Sequence, residues 1–267
     1  MSHTEQAMPR RAGQQGLWVL VAVAVSLALL AGCGDDGPTD LQPDAGTEPE
    51  VCGPSDVWCK DQTIDRLDLL TTVSTGEVRE EGTTSGEFLT FVDSRAGGLS
   101  PTMSYSYLRF TPQGLTPVQI HDQESLGSTD WDLAVRRYTL RVNSGTSGPS
   151  CVSVANTPEG TTFASVTAVN AAMEFKTEAW FDTACTLIPD DSGLNGPLTQ
   201  LGGFWAYTSC VQMTGRVFVI RLADGRHVKL EVTSYYEPSA QQVCNQTGSV
   251  PQPSGSGAIR IKWAFLP

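Results

Sequence analysis

Val217-Phe-Val-Ile-Arg-Leu-Ala-Asp-Gly-Arg-His-Val-Lys-Leu-Glu-Val-Thr-Ser234 is the stretch that decides the fold. Val217 to Leu222 is a β-branched and aromatic run, and Ala223-Asp224-Gly225 is a turn signal. Val228, Leu230 and Val232 then alternate with His227, Lys229, Glu231 and Thr233. A period of two beyond a Gly-containing turn predicts a β-hairpin with one dry and one wet face. The same alternation recurs in Ile259, Ile261, Trp263 and Phe265, set against Arg260 and Lys262, and in Tyr138, Leu140 and Val142. Clusters of Gly, Pro, Ser and Thr, such as residues 143–149, separate these runs. Helical periodicity is confined to Asp61–Leu70 and a short stretch near Asn170–Met173. The expected fold class is therefore all-β, one antiparallel domain of many short strands over residues 85–267.

The N-terminal part reads differently. Arg10 and Arg11 precede an apolar run from Leu17 to Leu30, which ends in Leu30-Ala31-Gly32-Cys33. A basic start, a short apolar stretch and a small-residue cleavage site predict a secretory signal over residues 1–32. The run is shorter than the roughly 20 apolar residues of a membrane-spanning helix. Leu-Ala-Gly-Cys resembles the bacterial lipobox, which implies lipid on the Cys33 thiol, a new N-terminus there, and the membrane as a partner. Residues 33–50 are rich in Asp, Glu, Pro, Gly and Thr, too poor in apolar side chains to fold, and are expected to be a flexible tether. Residues 51–84 form a Cys-bearing segment between tether and domain. The net charge of −12, without a basic cluster, argues against nucleic acid as a partner.

Besides Cys33, six Cys remain: Cys52, Cys59, Cys151, Cys185, Cys210 and Cys244. An even number in an exported chain favours complete disulfide pairing. Proximity in sequence suggests Cys52 with Cys59, leaving Cys185 with Cys210 and Cys151 with Cys244 as the expected remainder. The Cys52–Cys59 spacing lacks the tight knuckle of structural zinc sites. No catalytic constellation stands out: there is no Gly-x-Ser-x-Gly elbow, no His-Glu-x-x-His and no phosphate-cradling loop. His121 and His227 read as surface residues, and the chain is not expected to be an enzyme.

Ser128-Thr-Asp-Trp-Asp-Leu-Ala-Val-Arg-Arg-Tyr138, followed by Leu140-Arg-Val-Asn-Ser-Gly-Thr-Ser-Gly148, resembles the signature of the HmuY family. Gly203-Phe-Trp-Ala-Tyr207, Arg216 to Gly225, Val228-Lys229 and Ser234-Tyr-Tyr236 follow in that family's order. The resemblance covers residues 85–267. It implies an all-β, haem-binding lipoprotein of the bacterial outer membrane, exposed on its periplasmic or outer face. Such a protein captures haem for iron acquisition and passes it to an outer-membrane receptor. Better-known members hold the iron with two axial His or Met side chains from loops at one end.

This sequence departs from that pattern. The two intervals where the resemblance places axial ligands contain no His, and Met173 and Met213 are the Met residues in them. A Met173–Met213 pair is the resulting candidate, set against ordinary packing of both. Soft thioether ligation would tighten on reduction. Cys210 and Tyr207 also lie near the second position, although a Cys in an exported protein is more often bridged and the place of Tyr207 in Trp-Ala-Tyr reads as structural. Arg137 and Arg141 are candidates for the haem propionates, and the Ser144–Gly148 loop offers N–H groups to an anion, although it is first a turn. The alternative is a non-enzymatic surface-binding or structural lipoprotein that keeps the fold and has lost haem ligation.

Overall fold

A computed structural model describes residues 52–267 apart from Asp191 and Asn195. The signal, Cys33 and the tether lie outside the described residues. The strands are β1 (Val78–Thr84), β2 (Glu87–Asp93), β3 (Ser106–Thr111), β4 (Gly114–Val118), β5 (Leu133–Arg136), β6 (Thr139–Val142), β7 (Ser153–Asn156), β8 (Trp205–Tyr207), β9 (Val211–Met213), β10 (Val217–Arg221), β11 (His227–Ser234) and β12 (Ala258–Leu266). Three helices accompany them: α1 (Lys60–Arg66), α2 (Asp122–Ser125) and α3 (Pro238–Thr247). None of the described helices is long and apolar enough to cross a membrane.

The strands form antiparallel sheets, as their alternation predicts. The large sheet runs β1-β2-β12-β11-β10-β7, the smaller one β4-β3-β5-β6, and β8-β9 is a separate ribbon. The quoted hairpin is β10–β11, in register from Val217 opposite Glu231 to Arg221 opposite His227. The inner face of the large sheet carries Phe218, Ile220, Leu230, Ile259, Ile261 and Trp263, which pack against Leu108, Phe110, Leu133 and Leu140 of the smaller sheet. Trp263 shows why this face is specific. Its ring stacks 4.3 Å from Phe88 and stands edge-on to Phe110, while its indole N–H donates to the Thr90 hydroxyl at 2.8 Å.

The wet face expected of the hairpin is partly covered. A short 3₁₀ turn at Phe163–Ser165 lies over it, and Phe163 and Val166 pack on Val217, Val219 and Ala264. Lys229 is consequently buried and donates its ammonium proton to the Phe163 carbonyl at 3.0 Å. Alternation reads local periodicity and is blind to a distant segment returning across the sheet.

Helix α1 falls inside the expected Asp61–Leu70 stretch, whereas Asn170–Met173 makes only a turn, with Met173 N–H donating to Asn170 O. Helix α3 was not anticipated, yet it carries standard end signals: Pro at its start and Gly248 at φ 70° after its last turn. The β1–β2 hairpin spans the boundary expected at residue 85, turning at Ser85 and Gly86.

Six cysteines pair completely, but the partners differ from those expected. The bridges are Cys52–Cys151, Cys59–Cys185 and Cys210–Cys244. Cys52 and Cys59 do not meet because the intervening chain runs past the β6–β7 connection, where Ser55 N–H donates to Pro149 O. Cys59 then begins α1 with φ 55° and joins the segment after Trp180. The Cys210–Cys244 bridge ties the β8–β9 turn to α3.

Candidate functional site

The long stretch between β7 and β8 contains little regular structure, so its position depends on specific polar contacts. Gly145 sits at φ 54°, and a Cβ there would lie 2.1 Å from the Glu178 carbonyl oxygen. Only Gly allows the loop and the Glu178 backbone to approach so closely. Thr146 N–H donates to Glu178 O, and Glu178 N–H donates to the Ser144 hydroxyl. The loop read as a possible anion cradle thus grips a main chain.

The Glu178 side chain completes this anchor. It is buried, and its two oxygens accept from Val142 N–H at 3.0 Å and Gln200 N–H at 2.9 Å. One carboxyl therefore closes both ends of the 178–200 arm. Burial pushes it up to about 7, against the lowering effect of the two N–H donors and of Arg141. The arm folds back on itself through Ile188 N–H to Trp180 O and Leu198 N–H to Ile188 O. Its base is tied by Cys59–Cys185.

The arm forms one wall of a cleft that lies next to a cluster of aromatic rings. The β5–β6 turn places Arg137 at φ 53° and presents Tyr138 5.1 Å from Trp205 and 6.4 Å from Tyr235. Tyr235 contacts Tyr236 at 4.9 Å, and the Arg137 guanidinium lies 5.8 Å from the Tyr235 ring. Gln241 of α3 holds this corner, accepting from Tyr235 and Tyr236 N–H and donating to Val211 O. Burial and the nearby Asp190 charge push the Tyr138 phenol above its ordinary value. Three separate sequence blocks, around residues 138, 205 and 235, converge here.

Beside them opens a cleft of about 400 Å³ lined by Asp190, Leu198, Thr199, Gly203, Trp205 and Tyr207. That volume lies within the range of small-molecule sites, roughly 300–1,000 Å³. Clefts of similar size occur elsewhere, including one of about 440 Å³ beside Lys229 and Phe265. What sets the Trp205 cleft apart is its exposed apolar rim, with Leu198 45% and Tyr207 49% exposed, next to the tyrosine cluster.

The structure places the other candidates as follows. Met213 faces Trp205 across β8–β9 and packs against the main core. Met173 packs with Phe163 and Val166 against Val217 and Val219, on the opposite face of β10 from Phe218 and Ile220. The expected Met173–Met213 pair is therefore not brought together, because the large sheet separates the two clusters. Arg141 is also corrected. It is fully buried, donates to Ser147 O and Oγ and to the Tyr107 hydroxyl, and lies over the Tyr105 and Trp131 rings. It holds the interior together and cannot meet a propionate. Of the two, only Arg137 stands beside the tyrosine cluster, its guanidinium 5.8 Å from the Tyr235 ring.

His121 is the N-cap of α2, its Nδ1 accepting from Glu124 N–H. His227 packs against Phe175, and burial and the Arg221 charge lower its pKa. All six described cysteines are bridged, and no three potential metal ligands cluster among the described residues. Sequence reasoning missed Glu178 because an isolated Glu in a loop carries no pattern. The place of Tyr207 in Trp-Ala-Tyr reads as structural, whereas its side chain is 49% exposed and lines the cleft.

The HmuY protein family model matches residues 73–247. Among solved structures, an HmuY-like heme binding protein of Bacteroides vulgatus is 17% identical, with TM-score 0.44, covering 70% of this chain and 97% of that one. A lipoprotein of Bacteroides fragilis is 12% identical, with TM-score 0.44 and coverages of 69% and 94%. The apo form of an HmuY analog of Tannerella forsythia is 14% identical, with TM-score 0.38 and coverages of 73% and 98%. No curated protein matches the sequence.

Proposed function

The chain belongs to the HmuY family, and from that footing we propose that it is a lipid-anchored haem-binding protein of the bacterial outer membrane. In this reading it captures haem in the Trp205 cleft and passes it to an outer-membrane receptor for iron acquisition. The observation that carries the reading is the convergence of Tyr138, Trp205 and Tyr235 beside an open cleft rimmed by Leu198 and Tyr207. Haem is a broad, flat, largely apolar cargo with two carboxylates at one edge. Aromatic and aliphatic walls suit its faces, and Arg137 supplies a cation for a propionate. The protein's work is to bury the porphyrin, offer one axial donor and exclude competing ligands.

Anchoring rests on Cys33. Acyl chains there would hold the protein at the membrane, and the acidic stretch of residues 34–50 would carry the domain away from the bilayer. Mass spectrometry of the mature protein is expected to find acylated Cys33 as its first residue. An unmodified Cys33 would remove the anchor from this account.

Titrating purified protein with ferric haemin tests the binding. A saturable Soret band at one haem per chain is the expected result. A second reading, a surface-binding lipoprotein without haem ligation, is favoured by the separation of Met173 from Met213 and the internal role of Arg141. A titration showing only the spectrum of free haemin would establish that second reading over the first.

A further inference from the structure

Resting on the haem reading, we propose that Tyr207 is the iron ligand and that the protein selects the ferric form of its cargo. The fold withdraws most of the possible donors. Cysteine thiolate is unavailable because all six described cysteines are bridged. His121 is engaged at the start of α2, and His227 lies against Phe175 at the far end of β11. Met173 belongs to the outer face of the large sheet. Met213 and Tyr138 pack against the main core, Tyr138 on Trp205 and Tyr235, and Tyr105, Tyr107, Tyr235 and Tyr236 are buried, whereas Tyr207 is 49% exposed and lines the cleft.

Strand geometry adds a second constraint. All three residues of β8 line the cleft, with Trp205 buried at its base and Tyr207 exposed at its rim. A porphyrin lying against the Trp205 side of the cleft is thereby within reach of the Tyr207 phenol. Tyrosinate is an established haem ligand in other folds.

The step balances without an oxidant or reductant. The phenol oxygen forms a bond to Fe(III), the axial water or hydroxide of haemin leaves, and the phenol proton passes to solvent. The iron stays ferric throughout. A hard anionic oxygen neutralises charge on ferric haem and has less to offer the ferrous form. Reduction should therefore loosen binding, the reverse of what a thioether pair would do.

The test uses the mature protein loaded with ferric haemin and read by visible absorption, resonance Raman and electron paramagnetic resonance. Wild type is expected to show high-spin ferric haem with phenolate-to-iron charge-transfer and phenolate Raman bands. Tyr207→Phe should lose those bands and weaken binding by about tenfold or more, with an unchanged near-UV circular dichroism spectrum. Met213→Ala should keep the bands. Dithionite should lower the affinity of wild type. Saturable haem binding whose spectrum is the same in wild type and Tyr207→Phe would overturn the ligand assignment and leave the haem reading standing. A wild type without saturable binding would overturn both.

Discussion

Asp122→Ala is expected to destabilise the protein by about 3–5 kcal/mol, the cost of breaking a buried ion pair and stranding its partner. The Asp122 carboxylate is buried, and four donors converge on it. Oδ1 accepts from Tyr105 N–H and the Tyr107 hydroxyl, both at 2.8 Å. Oδ2 accepts from Leu70 N–H at 2.9 Å and Arg136 Nη1 at 3.3 Å. Arg136 in turn donates to the Leu67 and Asp68 carbonyls. This node docks the segment after α1 onto the small sheet, a job that apolar contacts alone share with Leu67 and Leu69. Removal of Asp122 leaves the Arg136 guanidinium without its counter-charge, and two backbone N–H groups and the Tyr107 hydroxyl without their acceptor. Urea unfolding measures the effect. A loss below about 1 kcal/mol, the scale of an exposed pair, would show that the node is not structural.

Glu178→Ala is expected to give a pH-dependent loss, larger in acid than in base. The sign follows from the position of the carboxyl. Burial raises it from the ordinary 4.5 to about 7. Its contribution is then present in full below the ordinary value and is lost as the pH rises through about 7. Asp132, buried and raised from 3.8 to about 6, acts in the same direction at lower pH. Wild type should therefore lose stability between about pH 5 and pH 8, by about 3 kcal/mol from Glu178 if the whole displacement is expressed. Alanine abolishes that slope and orphans Val142 and Gln200 N–H, at about 1–3 kcal/mol each. The variant should accordingly look worst near pH 5 and approach wild type near pH 8. Amide exchange along 178–200 should quicken in the variant at every pH. A wild type whose stability rises from pH 5 to pH 8, with no slope change in the variant, would contradict the role given to Glu178.

The strands were legible in the sequence wherever periodicity was local. β10, β11 and β12 follow their local alternation closely, and β10 and β11 are joined by a short turn, although β12 reaches its partners β11 and β2 only across long connections. The 157–204 stretch was not legible. It is positioned by Gly145, Glu178 and a bridge from Cys59 to Cys185, contacts between residues with no periodic relation. Disulfide partners failed for the same reason: short spacing between Cys52 and Cys59 says nothing about where the chain goes next. The site divides similarly. Tyr138, Trp205 and Tyr235 stood out as motif residues and do converge. The Met pair was chosen by position along the chain, and a sheet intervenes. Arg141, a propionate candidate by its place in the motif, lies on a face that a cluster with Trp131 and Tyr107 covers.

Paramagnetic NMR tests directly whether haem sits in the Trp205 cleft. Ferric haem broadens the resonances of nearby residues. With one equivalent of haemin added to isotopically labelled protein, the signals of Trp205, Ala206, Tyr207 and Leu198 are expected to broaden beyond detection. Those of His121, Met173 and His227 should stay sharp. Broadening centred on Met173 or His227, or none anywhere, would contradict the account.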